Sequence, residues 1–366
     1  MTGIIAVNPT PRIILHADMD CFYAAVEMHD HPQYAALPVV VGADPQGGTG
    51  RGVVSTCSYE ARAYGIRSAM PISHAYRLCP DAIFLRPRMI RYGEVSEEIM
   101  TILSSPGFRF EQVSIDEAFL DLSPAGSFSE ARELAEELKR EIRARCGITC
   151  SLGLAPTKLV AKIASDFKKP DGLTVVEPAD VPGFLAPLPV RRIPGIGFKT
   201  EKELQVLGIH TIGDLAAYNI QGLLGRFGRS AVGLHEAALG VDGSEVTERD
   251  GIKSVSKETT FGQDTGDPDE IIATMDALIG EVYRSLTEEK IYFKTITVRV
   301  RFEGFETKTK AKTILHYHND EETIRGCAHE LLRELFCGRK IRRLGLRLSG
   351  LKRQDARQQL LFGQDN

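Results

Sequence analysis

Two pairs of acidic residues lie roughly a hundred positions apart in the sequence, each beside a short apolar run. Asp18 and Asp20 follow the run at 13–17, and Asp116 with Glu117 stands near the start of SIDEAFLDL at 114–122. Adjacent carboxylates repel by about 4 kcal/mol at an effective dielectric of 20, so a meeting of these acids calls for a cation. Mg²⁺ prefers such oxygen ligands, and two ions can clamp a phosphoryl transfer. The alternative is ordinary acids on surface strands, because each short motif is weak by itself.

A second set of residues is suited to phosphate. Tyr59 and Arg62 lie three positions apart after the apolar run VVSTC, so a helical turn would place both on one side. Lys158, Lys162 and Lys169 recur at spacings that fit one helix face. Such a lysine stripe can bind a triphosphate, although a solvated helix face is the more common reason for it.

The elements that must position these residues alternate between strand and helix. Buried strands are predicted at 13–17, 108–113, 114–122 and 148–155, with helices at 89–103, 128–146 and from 157 to before Pro170. This order predicts an α+β fold in which a sheet is backed by helices. The composition changes near 178 and near 253, which marks two domain boundaries, and helices are expected near 268–289 and 320–336.

Composition limits the class of protein. The chain has 366 residues, 43% of them hydrophobic and 26% charged, so it can build two or three cores and is not disordered throughout. No apolar run is long enough for a membrane helix, and residues 1–12 lack the pattern of a signal peptide. The seven cysteines include no CxxC pair, which favours a reducing, cytoplasmic location. Because the net charge is only −4, a polyanionic partner would have to meet local basic patches.

Five motifs together resemble the Y-family DNA polymerases, in particular the DinB-like (DNA polymerase IV) branch. They stand in the order of that family: ADMDCFYAAVE (17–27), SYEARAYGIRSAMP (58–71), SIDEAFLD (114–121), LAPTKLVAKIASDFKKPDG (154–172) and PGIG (194–197). The resemblance extends from about residue 12 to 352. It implies a template-directed DNA polymerase that adds deoxynucleotides to a primer 3′ end, with low fidelity, no proofreading and a role in translesion synthesis.

The resemblance also implies a domain organisation. A ferredoxin-like palm would comprise 1–21 and 88–177, small fingers 22–87, a helical thumb with a helix-hairpin-helix 178–250, and an α/β little finger 253–352. Residues 353–366 would form a flexible tail. The whole would be an α+β right-hand polymerase, expected to act as a monomer.

Carried over position by position, the metal-binding acids of the family fall on Asp18, Asp116 and Glu117. The backbone carbonyl of Met19 would add a ligand, and the two ions would be Mg²⁺, with Mn²⁺ as a substitute. Asp20 also matches the pattern and is interpreted as a supporting residue. These acids would carry the catalytic phosphoryl transfer.

The incoming deoxynucleoside triphosphate would be held by Tyr59, Arg62 and Lys169. Tyr23 falls at the position of the steric gate, where an aromatic ring excludes a ribose 2′-hydroxyl. Phe22 is grouped with these nucleotide contacts, although packing within its own helix explains part of its side chain.

Primer-template DNA would be held at two places. Gly195 and Gly197 lie in the predicted hairpin turn, whose backbone N–H groups suit a phosphate. The last domain carries basic residues on strands in which polar and apolar positions alternate, so the charge is expected on one sheet face. The residues expected to contact DNA there are Lys294, Arg299, Arg301, Arg342, Arg343 and Arg347, and Lys308, Lys310 and Lys312 belong to the same basic stretch.

The tail RQQLLFGQDN (357–366) resembles the short peptides with which such polymerases bind a sliding clamp. Gln358, Leu361 and Phe362 would be its anchors. A frayed terminus with chance apolar residues is an equally good explanation.

Two other functions are compatible with parts of this pattern. A catalytically inactive DNA-binding relative would lack a metal acid, and here all three are present. A nucleotide cyclase can share a palm-like sheet, but it has no use for PGIG or for a basic final domain.

Overall fold

The computed structural model describes residues 12–248 and 251–353, and the chain divides into two compact units, Met1–Arg249 and Asp250–Asn366. The elements of the first unit follow in this order: β1 (Ile14–Met19), α1 (Phe22–Asp30), β2 (Val39–Gly42), β3 (Val54–Cys57), α2 (Tyr59–Ala63), α3 (Ile72–Leu78), β4 (Ile83–Leu85), α4 (Met89–Ser104), β5 (Arg109–Gln112), β6 (Glu117–Asp121), α5 (Phe128–Cys146), β7 (Cys150–Ala155), α6 (Lys158–Ser165), β8 (Leu173–Val175), α7 (Val181–Leu185), α8 (Phe198–Val206), α9 (Ile212–Ala217), α10 (Ile220–Phe227) and α11 (Ser230–Ala238).

The main sheet of the first unit has the strand order β5-β6-β1-β7-β8. The pairs β5–β6, β6–β1 and β1–β7 are antiparallel, and β8 adds a parallel edge strand. With α4 and α5 as crossovers, the first four strands form the βαββαβ order of a ferredoxin-like sheet. This arrangement places β1 in the centre, between the strand that follows Asp116 and the strand β7.

Alternation along β1 separates the two faces of this sheet. Leu15, Ala17 and Met19 pack into the core beneath α4 and α5, whereas Ile14 belongs to the core that contains α6 and the later helices. Since side chains alternate along a strand, His16 and Asp18 point to the same side as Ile14. The α6 side of the sheet is therefore the one that receives the acidic end of β1.

A small second layer is inserted between α1 and α4. It holds the three-stranded sheet β3-β2-β4 with α2 and α3, and it has a core of its own around Val40, Val54 and Ile72. The helix α2 begins where the Ser58 hydroxyl accepts a hydrogen bond from the amide of Ala61. That cap fixes the turn on which Tyr59 and Arg62 lie.

Short helices, α7–α11, complete the first unit. Their apolar side chains, such as Leu204, Leu215 and Leu223, belong to the same core as Val160 of α6. Thr211 and Asp214 form a reciprocal capping box at the start of α9. The predicted helical block after 178 is thus packed on the palm-like sheet.

The second unit contains β9 (Ser254–Thr265), α12 (Pro268–Glu289), β10 (Ile291–Phe302), β11 (Thr307–His318), α13 (Glu321–Leu335), β12 (Ile341–Ser349) and β13 (Lys352–Arg353). Its sheet has the order β11-β10-β12-β9, all antiparallel, with β13 beside the start of β10. Val298, Val300 and Leu346 pack with α12 and α13 on one face of this sheet.

The predicted α+β class is confirmed, and the predicted helices at 89–103, 268–289 and 320–336 correspond to α4, α12 and α13. Two local predictions were inexact. The strand expected from 114 begins only at Glu117, and Asp116 lies in the preceding turn. The helix expected to continue to before Pro170 ends at Ser165, so Lys169 lies beyond α6 and does not share a helix face with Lys158 and Lys162. None of the helices in the described ranges combines the length and apolar composition that crossing a bilayer requires.

Candidate active site

The two distant acidic motifs meet at one end of the main sheet. Asp18 and Glu117 are direct partners in the register of β1 and β6, and the amide of Met19 donates to the carbonyl of Asp116 at 3.0 Å. The turn from β1 into α1 passes through Cys21, which adopts φ 41° and ψ 46°. This tight turn keeps Phe22 and Tyr23 beside the acidic end of the sheet.

The side chains of these acids are each held by a different partner. Lys169 Nζ lies 2.8 Å from Asp18 Oδ1, and Lys162 Nζ lies 2.7 Å from Glu117 Oε2. Asp116 Oδ1 accepts a hydrogen bond from the Ser114 hydroxyl at 2.6 Å. Among residues 12–248 and 251–353, no three His, Cys, Asp or Glu side chains are gathered closely enough to form a metal-binding group. The backbone thus brings the acids together, while lysines and a serine occupy their oxygens.

Burial makes this end of the sheet electrostatically demanding. Burial raises the pKa of Asp18, the Lys169 ammonium opposes that rise, and the neighbouring Glu117 adds to it. Burial also acts to lower the pKa of Lys169, but Asp18 and Asp166 outweigh it and leave that pKa raised. A carboxylate in this position is ionised most readily with positive charge beside it.

His16 lies fully buried on the same side of β1. Its Nδ1 is 2.7 Å from the Ser165 hydroxyl, and its Nε2, 3.9 Å from Glu117 Oε2, has no hydrogen-bond partner among the described residues. Burial lowers the pKa of His16, and nearby lysines lower it further. The imidazole is therefore neutral at pH 7, and His16 does not form an ion pair with Glu117.

Most of the residues predicted for metal and nucleotide binding surround one cavity of about 260 Å³. Those that line it are Asp18, Met19, Phe22, Tyr23, Tyr59, Arg62, Asp116 and Lys169. Glu117 is the exception, because its side chain turns toward Lys162 on the α6 side. Asp18 and Asp116 line the cavity at the end of β1, with Lys169 beside Asp18, and Arg62 lines it from α2. The cavity thus combines carboxylates with cations, as a bound metal–triphosphate requires.

The wall of the cavity that carries Arg62 is built by α2. The guanidinium carbon of Arg62 lies 4.5 Å from the centre of the Tyr59 ring, so the two side chains stack at the cavity wall. The Tyr59 hydroxyl donates to Asp20 Oδ1 at 3.3 Å. Tyr59 thereby connects the helix α2 to the acidic end of β1.

Asp20 supports the site from below. It is only 2% exposed and accepts four hydrogen bonds, from the Tyr59, Thr149 and Ser151 hydroxyls and from the amide of Asp171. Because both of its oxygens are used in this way, Asp20 fixes β1, α2, β7 and the segment after Lys169 to one another. This matches the supporting role predicted for it.

The ring of Tyr23 has a well-defined neighbour. It stacks on the ring of Tyr92 with a centroid separation of 4.4 Å and an interplanar angle of 12°. Phe22 is 2% exposed and packs against both rings. Packing therefore accounts for most of the Phe22 side chain, although both Phe22 and Tyr23 line the cavity.

Four further residues line the cavity that the sequence argument did not select, namely Cys21, Ser55, Thr56 and Ser68. Ser55 and Thr56 lie on β3 directly before the motif SYEAR, and Ser68 lies within its continuation GIRSAMP. The hydroxyl groups that lie next to the phosphate-binding motif are the feature of the sequence that could have indicated these residues. Thr56 and Ser55 can donate hydrogen bonds to phosphate oxygens.

In the second unit, four of the predicted DNA contacts share the sheet face that the helices leave uncovered. Arg301 is the cross-strand partner of Arg343, and Arg347 is the partner of Thr297. Because side chains alternate along a strand and Val298 and Val300 are buried, Arg299 and Arg347 lie on the same exposed side as Arg301 and Arg343. Arg299 and Arg347 line a groove of about 360 Å³, and within the described ranges neither has a carboxylate partner. We call this surface, formed by Arg299, Arg301, Arg343 and Arg347, the basic sheet face.

The other basic residues of this unit are placed differently. Lys312 Nζ pairs with Glu330 at 2.5 Å and Lys310 pairs with Glu334, both on α13, so these lysines belong to the helix side. The expectation that they share the DNA-facing charge was wrong. Side chains alternate along β11, so Lys310 and Lys312 point to the helix side, whereas Thr307 and Thr309 point to the other side. The ammonium of Lys294 lies over the ring of Tyr317. The guanidinium of Arg342 lies over the ring of Phe305, and its Nη1 is 3.7 Å from Asp264 Oδ2. Arg342 is next to an irregularity in the pairing of β10 with β12.

The predicted hairpin glycines precede α8. Gly195 has φ +92°, which favours glycine, and no atom lies within 4 Å of an added Cβ at either Gly195 or Gly197. Their backbone is thus open to an approaching group. Gln358, Leu361 and Phe362 lie outside the described residues.

Comparison with family models matches three parts of the chain. The impB/mucB/samB family matches residues 17–166, the IMS family HHH motif matches 178–209, and the impB/mucB/samB family C-terminal domain matches 252–361. Together these ranges contain the five motifs and the basic sheet face, except for residues 167–172 of the motif at 154–172, which include Lys169.

Curated relatives match almost end to end. A protein named DNA polymerase IV from Methanoculleus marisnigri is 52% identical over 93% of this chain and 95% of its own length. DNA polymerase IV 2 of Methanosarcina mazei is 48% identical over 96% of this chain and 95% of its own. DNA polymerase IV of Halorhodospira halophila is 42% identical over 96% and 98%.

Solved structures give the same result. A Y-family DNA polymerase chimera of Dbh and Dpo4 superposes with a TM-score of 0.86 at 33% identity, covering 93% of this chain and all of its own. A structure described as the insertion ternary complex of Dbh DNA polymerase has a TM-score of 0.66 at 32% identity, with coverage of 93% and 100%.

Proposed function

Since this chain belongs to the impB/mucB/samB family, whose solved members are Y-family DNA polymerases, we propose that its cavity binds the incoming deoxynucleoside triphosphate for primer extension. As a member of that family it is a DNA-directed DNA polymerase of the translesion type, and the resemblance seen in its motifs is confirmed. The right-hand α+β fold with a helix-hairpin-helix is confirmed as well.

The family depends on divalent metal, and the acidic end of the cavity has donors that fit such an ion. Two ions, Mg²⁺ or Mn²⁺, would be held by Asp18, Asp116 and Glu117 with the carbonyl of Met19. Buried carboxylate oxygens whose charge needs compensation are hard donors of the kind these ions prefer. When bound, such ions neutralise charge on the phosphates and favour ionisation of the primer 3′-hydroxyl.

The protein side chains orient the nucleotide. Arg62, stacked on Tyr59, and Lys169, which lies beside Asp18, provide donors for the triphosphate within the cavity. Tyr23 closes the wall where the sugar would lie and excludes a 2′-hydroxyl by contact. The attack of the primer 3′-oxygen on the α-phosphorus then releases pyrophosphate, and the contribution of the protein is alignment and charge compensation.

The basic sheet face would hold primer-template DNA through its backbone. Arg299 and Arg347 are exposed beside a groove, and among the described residues that line it none is aromatic and available for base stacking. Lys294 and Arg342 flank this surface as secondary contacts. In the first unit, the open backbone at Gly195 and Gly197 is suited to a DNA phosphate.

Domain assignments complete the proposal. The palm comprises 1–21 and 88–177, the fingers 22–87, the thumb 178–250 and the little finger 253–352. The observed division between Arg249 and Asp250 lies near the last of these boundaries. The chain would act as a monomer, which light scattering at assay concentration can test.

The segment 357–366 would recruit a sliding clamp through Gln358, Leu361 and Phe362. Deleting 357–366 is expected to reduce synthesis in the presence of a clamp and to leave distributive synthesis intact. Triple alanine substitution of the three anchors should reproduce that result. Equal loss with and without a clamp contradicts the clamp role.

The observation that carries the proposal is that acids and cations from four separate sequence motifs line a single cavity. A primer-extension assay with Mg²⁺ and four deoxynucleotides tests it directly, on undamaged and on abasic templates. Template-dependent extension on both substrates is expected. Absence of extension with wild-type protein that still binds the duplex would instead favour an inactive DNA-binding relative.

A further inference from the structure

Beside the cavity, α1 and α4 contact each other through two pairs of side chains, and the members of each pair lie one helical turn apart. Tyr23 and Glu27 lie one turn apart on α1, and Arg88 and Tyr92 lie one turn apart at the start of α4. Each pair therefore presents an aromatic ring and a charged group to the other helix. Tyr92 is fully buried and Glu27 is only 3% exposed.

The contacts in this cluster are short and complementary. The Tyr92 hydroxyl donates to Glu27 Oε1 at 2.6 Å. Arg88 donates through Nε to Glu27 Oε1 at 2.9 Å and through Nη2 to Glu27 Oε2 at 2.8 Å. Both oxygens of the buried carboxylate are thus satisfied, and the fork of the guanidinium fixes its plane.

A buried carboxylate has few alternative positions, because any rotation that loses these donors leaves an uncompensated charge. The hydrogen bond to Glu27 consequently fixes the position of the Tyr92 hydroxyl and, with it, one end of the Tyr92 ring. The Tyr92 ring, held at that end and by packing, is the surface on which Tyr23 stacks at 4.4 Å. Within the described residues, no hydrogen bond holds the Tyr23 hydroxyl, so the stack is what sets its ring plane.

We propose that Tyr92 and Glu27 are positioning residues for sugar selection, which act by holding the ring of Tyr23 in the plane that excludes a 2′-hydroxyl. This inference rests on the proposed function of Tyr23 as the steric gate. Neither residue lines the cavity, so neither contacts the nucleotide. Their effect reaches the substrate only through Tyr23.

Tyr92→Phe is the most selective test, because it removes one oxygen and leaves the ring. Single-nucleotide insertion is measured with a deoxynucleotide and with the matching ribonucleotide, giving kcat/KM for each. The expected result is a roughly three- to tenfold lower preference for the deoxynucleotide, through a higher kcat/KM for the ribonucleotide, as loss of one hydrogen bond to a charged group permits. The deoxynucleotide kcat/KM should stay within about threefold of wild type.

Glu27→Gln provides a second, nearly isosteric perturbation, and it should lower the preference by a similar factor. Asp30→Asn is the matched control, since Asp30 also binds Arg88, at 2.8 Å, and does not contact Tyr92. The control should retain the wild-type preference. In a Tyr23→Ala background, Glu27→Gln should cause no further change, because its effect passes through the ring that has been removed.

The outcomes separate this inference from the gate itself. If Tyr23→Ala admits ribonucleotides while Tyr92→Phe and Glu27→Gln keep the wild-type ratio, the gate stands and the positioning role is wrong. Equal losses of both kcat/KM values in Tyr92→Phe, at an unchanged ratio, show a purely structural role and also overturn it. If Tyr23→Ala leaves sugar preference unchanged, the gate fails and the inference fails with it.

Discussion

The cavity of the first unit and the basic sheet face of the second unit both present positive charge suited to phosphate, but they are built differently. In the cavity, Lys169 is 19% exposed and lies 2.8 Å from Asp18, so its charge is enclosed and paired. On the basic sheet face, Arg299 and Arg347 are exposed beside an open groove. An enclosed charge binds its partner only when its position is exact. Exposed charges attract phosphates together, and that attraction depends on their number and on the salt concentration.

This difference predicts how each region tolerates substitution. A single change among the enclosed groups removes a function or leaves a buried partner unsatisfied. A single change on the basic sheet face removes one phosphate contact among several.

Asp116→Ala should lower turnover by roughly three decades or more, because charge stabilisation by bound metal is worth several kcal/mol and each decade corresponds to about 1.4 kcal/mol. Single-turnover insertion by wild-type and variant protein measures the effect. Glu133→Ala, which removes an exposed acid on α5, is the control and should retain wild-type turnover. A residual rate within tenfold of wild type in the Asp116 variant contradicts the role given to that acid.

Asp20→Asn should destabilise the acidic end of the sheet by about 2–4 kcal/mol, since the amide of Asp171 and three hydroxyls lose part of a charged acceptor. Hydrogen exchange on peptides from β1 and β7 measures local opening. Asp81→Asn, at an exposed position, is the comparison and should exchange like wild type. Matching exchange in both variants would remove the supporting role of Asp20.

Arg299→Ala combined with Arg347→Ala should weaken DNA binding equally on different sequences. The slope of log affinity against log salt should become shallower by about 0.9 for each lost phosphate contact. Folding stability should change by less than about 0.5 kcal/mol, because both side chains are exposed. Lys310→Ala is the control, since that lysine pairs with Glu334 on the helix side. A slope change in the control as large as that of one arginine would contradict the assignment of faces.

Where the amino-acid pattern carries physical information, the predictions were accurate. The apolar run before Asp18 predicted a buried strand, and the helix predicted at 128–146 coincides with α5, which Ser127 caps and Gly147 ends. The separate motifs around Asp18, Tyr59 and Lys169 line one cavity because β1, α2 and the segment after α6 converge there. Local patterns determine such elements, and the motif order indicated their meeting.

The remainder depends on contacts between distant segments. Lys310 and Lys312 alternate with threonines, so both sides of β11 are polar in sequence and nothing local shows which side faces α13. The donors to Asp20 come from Tyr59, Thr149, Ser151 and Asp171, and no spacing rule connects them. The same holds for Glu27 and Arg88, which are separated by 61 positions.

Anomalous diffraction from crystals grown with Mn²⁺, primer-template DNA and a non-reactive deoxynucleoside triphosphate tests the metal assignment without relying on activity. Two manganese peaks are expected, bounded by carboxylate oxygens of Asp18, Asp116 and Glu117, with Lys162 released from Glu117. Peaks located away from these oxygens, or a nucleotide bound outside the cavity that Tyr23 and Arg62 line, would contradict it.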